Sequence, residues 1–471
     1  MSLETEVDKI VSEFAVTQET LQKGVERFIE LATAGLESDE DKYGLPMIPT
    51  YVTSIPTGKE KGILFAADLG GTNFRVCSVA LNGDHTFKLI QQKSHIPAEL
   101  MTSTSDELFS YLASKVKVFL QTHHDGAVAS TGSQKFKMGF TFSFPVSQSA
   151  LNAGTLLRWT KGFNIPDTVG QDVVSLFQKH LDSQDIPVTV SALSNDTVGT
   201  LLARSYTGSN KEGTTVLGCI FGTGTNGAYN EKLENIKKIP AEVREKLKAQ
   251  GITHMVINTE WGSFDNQLKV LPNTKYDVQV DELTSNKGFH MFEKRVSGMF
   301  LGEILRHILV DLHAKGVLFT QYANYESLPH RLRTPWDLDS EVLSLIEIDD
   351  STHLQATELS LKQALRLPTT TEERLAIQKL TRAVAKRSAY LAAIPIAAIL
   401  HMTESFKGHN VEVDVGADGS VVEFYPGFRT MMRDAIAQTQ IGAKGERRLH
   451  INIAKDGSSV GAALCALSEK E

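Results

Sequence analysis

The feature that most constrains this chain is a pair of adjacent glycines between two apolar runs, in GILFAADLGGTNFRVCSVA at residues 62–80. The apolar residues before Asp68 and the aromatic and β-branched residues from Phe74 onward are typical of two strands. The turn between them would present backbone N–H groups and a hydroxyl at the end of the incoming strand. The sequence therefore predicts a hairpin with a tight turn formed by Gly70, Gly71, Thr72 and Asn73.

The spacing of this turn excludes two common phosphate-binding loops. A Walker loop needs a lysine directly after its last glycine, and none follows here. A dinucleotide-binding turn needs G-x-G-x-x-G running into a helix, whereas this turn runs into a strand. Taken alone, an ordinary hairpin turn explains the stretch at least as well as a binding loop does.

A second stretch of the same kind, TTVLGCIFGTGTNGAYN at residues 214–230, favours a binding role for both turns. An apolar strand again enters a turn rich in glycine and threonine, from Gly222 to Gly227, and continues outward through Ala228 and Tyr229. Glycine lets the backbone approach a ligand closely, and N–H groups and hydroxyls donate to phosphate oxygens. Two such turns facing each other predict a nucleotide held between two lobes.

The composition limits the class of protein. The length of 471 residues suggests two to four domains. Hydrophobic residues make up 41% and charged residues 22%, as in ordinary globular proteins. The net charge of −8 argues against nucleic acid as a partner. Cys77, Cys219 and Cys465 have no C-x-x-C spacing, which predicts buried thiols in a reducing compartment. The N-terminus lacks a signal-peptide pattern, and the apolar run at 389–400 is short for a bilayer and contains Pro395. We therefore expect a cytoplasmic protein with no membrane partner.

Strand and helix patterns alternate through residue 205, which predicts an α/β architecture, and residues 290–320 and 371–406 read as mainly helical. Ser105 is predicted to cap a helix that runs to about Gln121. The segment 411–425 is expected to form a hairpin that turns at Asp418 and Gly419.

The stretch FKMGFTFSFPVSQSALNAGTLLRWTKGFN at residues 136–164 combines a strand with polar groups. Alternation from Phe136 to Phe144 makes one face apolar and leaves Ser143 on the other face. Further on, Thr160 and Lys161 offer a hydroxyl and a cation beside an aromatic residue. Taken singly, Lys161 is explained more simply as a solvated surface charge.

A third stretch, IPVTVSALSNDTVGTLLARSY, predicts a strand that ends in Ser194, Asn195 and Asp196 and is followed by a helix. Asp196 could cap that helix. It could also act as a catalytic base, because α/β sheets bind ligands at the C-terminal ends of their strands. Both alternatives stay open at this point.

Two further acids, Glu260 in INTEWGSFD and Glu293 in HMFEKRVSG, lie in polar surroundings. Together with Asn195, Asp196 and Asn226 they form the kind of set that a ring of sugar hydroxyls requires. Buried acids and amides reject a ligand that lacks the matching hydroxyl, because they would stay unpaired.

These segments resemble the eukaryotic hexokinases, and most closely their fungal glucokinase branch, over nearly the whole chain. DLGGTNFRV and IFGTGTNGAY are similar to the family's two phosphate loops, and FTFSFPVSQSALNAGTLLRWTKGF to its sugar-binding signature. SNDTVGT and DGSSVGAALCAL are similar to its connecting segments, and DVGADGSVVEFYPGF to its adenosine segment. The spacing of Glu260 and Glu293 also agrees with the family. The chain resembles a single catalytic unit, and we expect it to lack the longer basic leader of some yeast hexokinases.

The resemblance implies an α/β, actin-like ATPase (ribonuclease H-like) fold with two lobes around a deep cleft. The small lobe would comprise residues 63–195, with 454–471 returning to it. The large lobe would comprise residues 196–453, with 1–62 packing on it.

The resemblance also implies roles for individual residues. Asp196 would be the catalytic base, and Lys161 and Arg158 would neutralise charge on the transferred phosphoryl group. The glucose contacts would be Ser143, Phe144, Thr160, Lys161, Asn195, Asp196, Asn226, Glu260 and Glu293. The nucleotide contacts would be Asp68, Gly70, Gly71, Thr72, Asn73, Lys93, Thr223, Gly224, Gly298, Gly416, Asp418 and Ser458.

The implied activity is ATP-dependent phosphorylation of glucose at its 6-hydroxyl, the first step of glycolysis. Mg²⁺ would accompany ATP, with Asp68 reaching it through a water. The expected partners are glucose and MgATP, bound by a monomer or a homodimer. The alternatives are a hexokinase that also uses fructose and mannose, and a sugar-sensing regulatory paralogue. A chaperone-like or cytoskeletal ATPase would lack the signature that runs from Ser143 to Lys161.

Overall fold

The computed structural model describes residues 2–40, 44–125, 135–159, 162–208, 213–408, 411–454 and 456–468, which form two large sheets with helices around and between them. The strands are β1 (Ile48–Pro49), β2 (Lys61–Leu69), β3 (Asn73–Asn82), β4 (Phe87–His95), β5 (Phe136–Phe142), β6 (Val146–Ala150), β7 (Ala153–Leu156), β8 (Val188–Ser194), β9 (Thr214–Phe221), β10 (Thr225–Lys232), β11 (His254–Asn258), β12 (Val413–Asp418) and β13 (Leu449–Ile453).

The α-helices are more numerous in the second half of the described chain. They are α1 (Leu3–Glu13), α2 (Gln18–Glu37), α3 (Ser105–His123), α4 (Val173–Ser183), α5 (Asp196–Thr207), α6 (Ala241–Ala249), α7 (Lys275–Glu282), α8 (Glu293–Val296), α9 (Gly298–Ala314), α10 (His330–Arg333), α11 (Ser340–Glu347), α12 (Gln355–Leu365), α13 (Thr371–Met402), α14 (Ser420–Phe424), α15 (Phe428–Ile436), α16 (Gly442–Glu446) and α17 (Gly457–Cys465). Short 3-10 helices lie at Ala98–Thr102, Pro166–Thr168, Leu233–Asn235, Trp261–Ser263, Tyr325–Ser327, Thr352–Leu354 and Ala466–Ser468.

The smaller sheet has the strand order β4-β3-β2-β5-β8. β2 and β3 are antiparallel with Leu69 opposite Phe74, which confirms the first predicted hairpin. β5 runs parallel to β2, and β8 runs parallel to β5, so all three end at the same edge of the sheet. This edge carries Asp68 and, directly after β8, Asn195 and Asp196.

The larger sheet has the strand order β1-β11-β10-β9-β12-β13. β9 and β10 are antiparallel with Phe221 opposite Thr225, which confirms the second hairpin. β12 runs parallel to β9, with Asp418 beside Ile220. The end of β12 therefore lies at the same edge as the turn between β9 and β10.

Helices α5 and α17 pack against each other between the two sheets. α17 lies on β2 and β5 of the smaller sheet, and α5 lies on β9, β10 and β12 of the larger sheet. Their contact is made by backbone, since a Cβ at Gly461 of α17 would lie 2.0 Å from the carbonyl oxygen of Gly199 in α5. A third core cluster, separate from the cores of the two sheets, includes Leu201 and Ala462 of these helices.

Helix α13 is the central helix of the larger core. Thr370 and Glu373 form a capping box at its start, and nearly all of its most apolar part is buried inside the protein. Length and composition alone would let this helix cross a membrane. Buried core helices can be equally long and apolar, so these two properties do not show that α13 spans a membrane.

Two local predictions were wrong. The helix α3 is capped by Thr104 and not by Ser105, because Thr104 and Glu107 form a reciprocal capping box. The segment 411–425 is not a hairpin: β12 ends at Asp418, Gly419 takes φ 109°, and the chain enters α14. Parallel pairing of β12 with both β9 and β13 fills its two edges, so the segment that follows cannot fold back as a neighbouring strand.

The predicted lobe boundaries, 63–195 with 454–471 and 196–453 with 1–62, stay predictions. The smaller sheet draws its strands from residues 61–194, and the larger sheet draws its strands from 48–49 and 214–453.

Candidate functional site

The predicted sugar residues of the larger sheet form one hydrogen-bonded group. Asn226 at the start of β10 donates from Nδ2 to Glu260 Oε1 at 3.0 Å. Asn258, the last residue of β11, donates from Nδ2 to the same oxygen at 2.7 Å and accepts from Asn226 at 2.8 Å. The antiparallel pairing of β10 with β11 brings these side chains together.

The same group extends to the start of α5. Asn195 is the N-cap of this helix, and its Oδ1 accepts a hydrogen bond from Thr197 N–H at 2.9 Å. Thr197 Oγ1 in turn accepts from Asn226 Nδ2 at 3.4 Å. Asp196 is the first helical residue, and its Oδ1 accepts from Thr197 N–H at 2.8 Å. The helix is therefore capped by Asn195 and not by Asp196. Asp196 lies directly beside the polar group.

Glu293, the first residue of α8, lies on the other side of this group. Its Oε2 accepts a hydrogen bond from Thr225 N–H at 2.9 Å, and its Oε1 lies 3.3 Å from Nδ1 of His290. A Cβ at Gly224 would lie 2.7 Å from Oε2, so the turn before β10 approaches the carboxylate as closely as glycine allows. Trp261 is fully buried beneath the group and donates from Nε1 to Thr225 Oγ1 at 2.9 Å.

The opposite side of the β9–β10 turn faces the predicted nucleotide residues. Gly298 N–H, at the start of α9, donates to the carbonyl of Gly222 at 2.7 Å. A Cβ at Gly222 would lie 3.2 Å from Gly419, and a Cβ at Gly457 would lie 3.4 Å from Asp418 Oδ2. Two chain segments, those of Gly298 and Gly419, thus approach this turn at a glycine, and Gly457 approaches Asp418 beside it. Glycine also lets a ligand come close to the backbone N–H groups of such a turn.

The first glycine turn lies at the edge of the smaller sheet. A Cβ at Gly70 would lie 3.6 Å from Asp68 Oδ1 and 4.0 Å from Ser143 Oγ. Arg75 reaches to 3.9 Å from Asp68 Oδ2 across the hairpin. Lys93 is opposite Arg75 on β4 and is exposed, two strands away from Asp68. The remaining turn residues, Gly71, Thr72 and Asn73, are partly or fully exposed.

The assigned residues of the sugar-binding signature fall in different places. Phe144 is buried in an aromatic cluster, with its ring centroid 4.8 Å from that of Trp159. Its side chain therefore belongs to the core of the smaller sheet. Arg158 is exposed just after β7. Thr160 and Lys161 lie outside the described residues, so their predicted roles stay predictions.

Three residues that the resemblance assigns to nucleotide binding also have a structural role in the fold. Gly416 is buried within β12, where a Cβ would meet Arg204 of α5 at 2.6 Å. Ser458 lies in the first turn of α17, and its carbonyl accepts a hydrogen bond from Thr141 at 3.2 Å. The carbonyl of Thr223 accepts from Met299 N–H at 3.4 Å. All the individual site assignments stay predictions.

Two carboxyls of the site have altered pKa values. Burial raises the pKa of Glu260, against the hydrogen bond from Asn258 that lowers it. Burial also raises the pKa of Asp418, although Gly419 N–H donates to it at 2.7 Å. Such shifts in concave polar sites are frequent where ligands bind.

The carboxylates suit Mg²⁺ delivered with a nucleotide. Mg²⁺ takes one or two carboxylates together with phosphate oxygens and waters. The Asp68 carboxylate, beside the Gly70 turn, is a hard oxygen donor of this kind. Within the described part of the chain, no group of three or more acidic, histidine or cysteine side chains could hold a metal by itself.

Sequence reasoning missed several members of the polar group. Asn258 lies two residues before Glu260, a spacing that puts both side chains on one face of an extended chain. Thr197 and His290 gave no such signal. Their positions depend on the start of α5 and on the turn before α8.

Comparison with known proteins agrees with the geometry. Family models described as hexokinase match residues 6–206 and 216–468. The chain is 57% identical to Glucokinase-1 of Saccharomyces cerevisiae, covering 98% of this chain and 96% of that protein. It is 48% identical to a glucokinase of Aspergillus niger, covering 98% and 96%. It is also 39% identical to Hexokinase-1 of Saccharomyces cerevisiae, covering 99% and 92%.

The structure is similar to that of a hexokinase from Schistosoma mansoni solved with glucose, with a TM-score of 0.82 and 34% identity over the whole of both chains. This match confirms the expected two-lobed, actin-like α/β fold. With family models that cover most of its length, the chain belongs to the hexokinase family.

Proposed function

We propose that this chain transfers the γ-phosphoryl group of ATP to the 6-hydroxyl of glucose. The observation that carries this proposal is the continuous polar group from Asn195 through Asn226 to Glu260, which ends beside Asp196 and next to a glycine turn. The relatives named glucokinase and the related structure solved with glucose support the same sugar.

The amides and acids of the group would bind the sugar. Asn226 and Asn258 both donate to Oε1 of Glu260, and this arrangement leaves Oε2 to accept a sugar hydroxyl. Glu293, held by Thr225 N–H, would accept a second hydroxyl. A ligand without these hydroxyls would leave buried acceptors unpaired, so the group selects for a polyol ring.

Asp196 would act as the general base. It accepts the proton of the 6-hydroxyl while that oxygen forms a bond to the γ-phosphorus and the bond to the β-phosphate oxygen breaks, releasing ADP. Its Oδ1 accepts a hydrogen bond from Thr197 N–H, which holds the carboxylate at the start of α5, where it would meet the hydroxyl. Lys161 and Arg158 would neutralise charge on the transferred group.

The two glycine turns would hold the phosphates of ATP through backbone N–H groups. Asp68 would orient Mg²⁺ through a water, and Mg²⁺, when bound, neutralises charge on the phosphates. Closure of the two lobes around glucose would exclude water, which could otherwise attack the same phosphorus.

The experiment is a coupled assay for ADP release with glucose, fructose and mannose, each over a range of concentrations. We expect activity with glucose and a much lower kcat/KM with the other sugars. Comparable kcat/KM values for all three would favour the broader hexokinase alternative. Binding of glucose without ADP release would favour a sugar sensor.

A cytoplasmic location is part of the same proposal. It is supported by Cys77, Cys219 and Cys465, which are all buried free thiols. A fluorescent fusion observed in cells tests the location. Light scattering after gel filtration distinguishes a monomer from a homodimer, the two states we consider.

A further inference from the structure

The polar group contains one titratable side chain for which the proposed reaction has no role, the imidazole of His290. Glu293 is held from two sides: its Oε2 accepts from Thr225 N–H at 2.9 Å, and its Oε1 lies 3.3 Å from Nδ1 of His290. The first partner is a fixed backbone donor. The second can change its charge near neutral pH.

Hydrogen bonds fix the backbone around His290. Its φ of 55° lies in the left-handed region, which is uncommon for residues other than glycine but in which histidine and asparagine are enriched. Its carbonyl accepts from Lys294 N–H at 3.0 Å, and Met291 N–H donates to Asn266 Oδ1 at 3.2 Å. The side chain is 43% exposed, so protons from solvent reach it.

The charges that act on His290 come from its own segment and from the segment after β11. The hydrogen bond with Glu293 raises the pKa of the imidazole, and the charge of Glu260 raises it further, against burial and the charge of Lys294. Lys294 is buried and paired with Asp281 at 2.6 Å, so its charge is largely offset. The imidazolium in turn lowers the pKa of Glu260, which burial and the charge of Glu293 raise.

We propose that His290 is a positioning residue of the sugar site, which in its protonated form orients Glu293 and offsets the repulsion between Glu293 and Glu260. This inference rests on the proposed function and needs no contact between His290 and the reacting atoms. Glucose affinity should then fall as the pH rises and the imidazole loses its charge. By linkage, bound glucose should favour the protonated imidazole by the same factor.

The test measures the glucose Kd by calorimetry without ATP, and the glucose KM at saturating ATP, from about pH 6.5 to about pH 9. We expect both to rise about three- to fivefold in the wild type, the scale that a partly exposed ion pair supports. In His290→Gln and His290→Asn both should be independent of pH and close to the high-pH value of the wild type. Asparagine tolerates the left-handed backbone, so His290→Asn removes the charge without straining the segment.

His450→Gln is the matched control. His450 forms a comparable half-exposed pair with Glu412 at 2.8 Å, on β13 and away from the sugar residues. This variant should keep the wild-type pH profile. An NMR titration should also show the pKa of His290 rising by about half a pH unit when glucose is added.

A wild-type Kd that does not change with pH, or a change that persists in both His290 variants, overturns the assignment. A Kd that falls as the pH rises overturns it as well. Failure of the proposed function is separate, because it would show as a wild-type enzyme without glucose-dependent ADP release.

Discussion

The contact between α5 and α17 offers a direct test of how the fold positions the proposed base. In Gly461→Ala the new Cβ would lie 2.0 Å from the carbonyl oxygen of Gly199 and 2.1 Å from its Cα, where real Cβ atoms stay beyond 3.0 Å. Both neighbours are backbone atoms, so the helices must separate by about 1 Å. Asp196 lies within one turn of Gly199 and should move with it.

We expect the separation to cost about 1–3 kcal/mol of stability, as overpacking does, and to lower kcat about 10²-fold, as a displacement of about 1 Å can. Steady-state kinetics with glucose and a urea denaturation curve give the two numbers. Gly445→Ala is the control, because Gly445 lies in α16, away from the site, and its new Cβ would meet mainly the side chain of Ile441. It should lose little kcat even if it loses stability.

A folded Gly461→Ala enzyme with kcat within about threefold of the wild type would refute the reasoning. It would mean that Asp196 keeps its position when α17 is displaced. A loss of kcat in Gly445→Ala as well would assign the effect to general destabilisation.

Three further variants test the base, the sugar group and the core. Asp196→Ala should lower kcat about 10²–10⁴-fold with glucose affinity within about tenfold, and a variant with more than a tenth of wild-type turnover would remove Asp196 as the base. Glu260→Gln should raise the glucose KM strongly and the ATP KM little, and the reverse pattern would move Glu260 to the nucleotide side. Asp277→Asn should destabilise the protein by about 3–5 kcal/mol at pH 7, because Arg387 donates to Asp277 at 2.7 and 2.8 Å and both side chains are buried. Burial alone would raise the pKa of Asp277, but Arg387 lowers it from 3.8 to about 2. The stability from this pair is therefore complete above about pH 4 and is lost as the pH falls toward 2, and urea curves of Asp277→Asn should lack this acid-dependent loss.

The local elements of the site were predictable because their signals are local. Apolar runs on both sides of Gly70 and of the Gly222 turn predicted both hairpins, and the order strand, Asn195, Asp196, helix was also correct. These signals depend only on the alternation of side chains and on turn residues. The prediction at Asp418 failed because an Asp-Gly pair favours a hairpin only when a neighbouring strand position is vacant, and the parallel sheet leaves none.

The sequence by itself determined the chemistry of the site, namely which segments form glycine-rich turns and which acids and amides are available. Through its resemblance it also indicated the family. Only the tertiary structure decided which of these residues meet. The link from Asn195 through Thr197 to Asn226, and from there to Asn258 and Glu260, joins segments that are far apart in the chain. Such contacts depend on the register of β10 against β11 and on the packing of α5 over that sheet. A residue's own sequence neighbours do not encode either of these, because register and helix packing are set by the fit of whole elements in a close-packed interior.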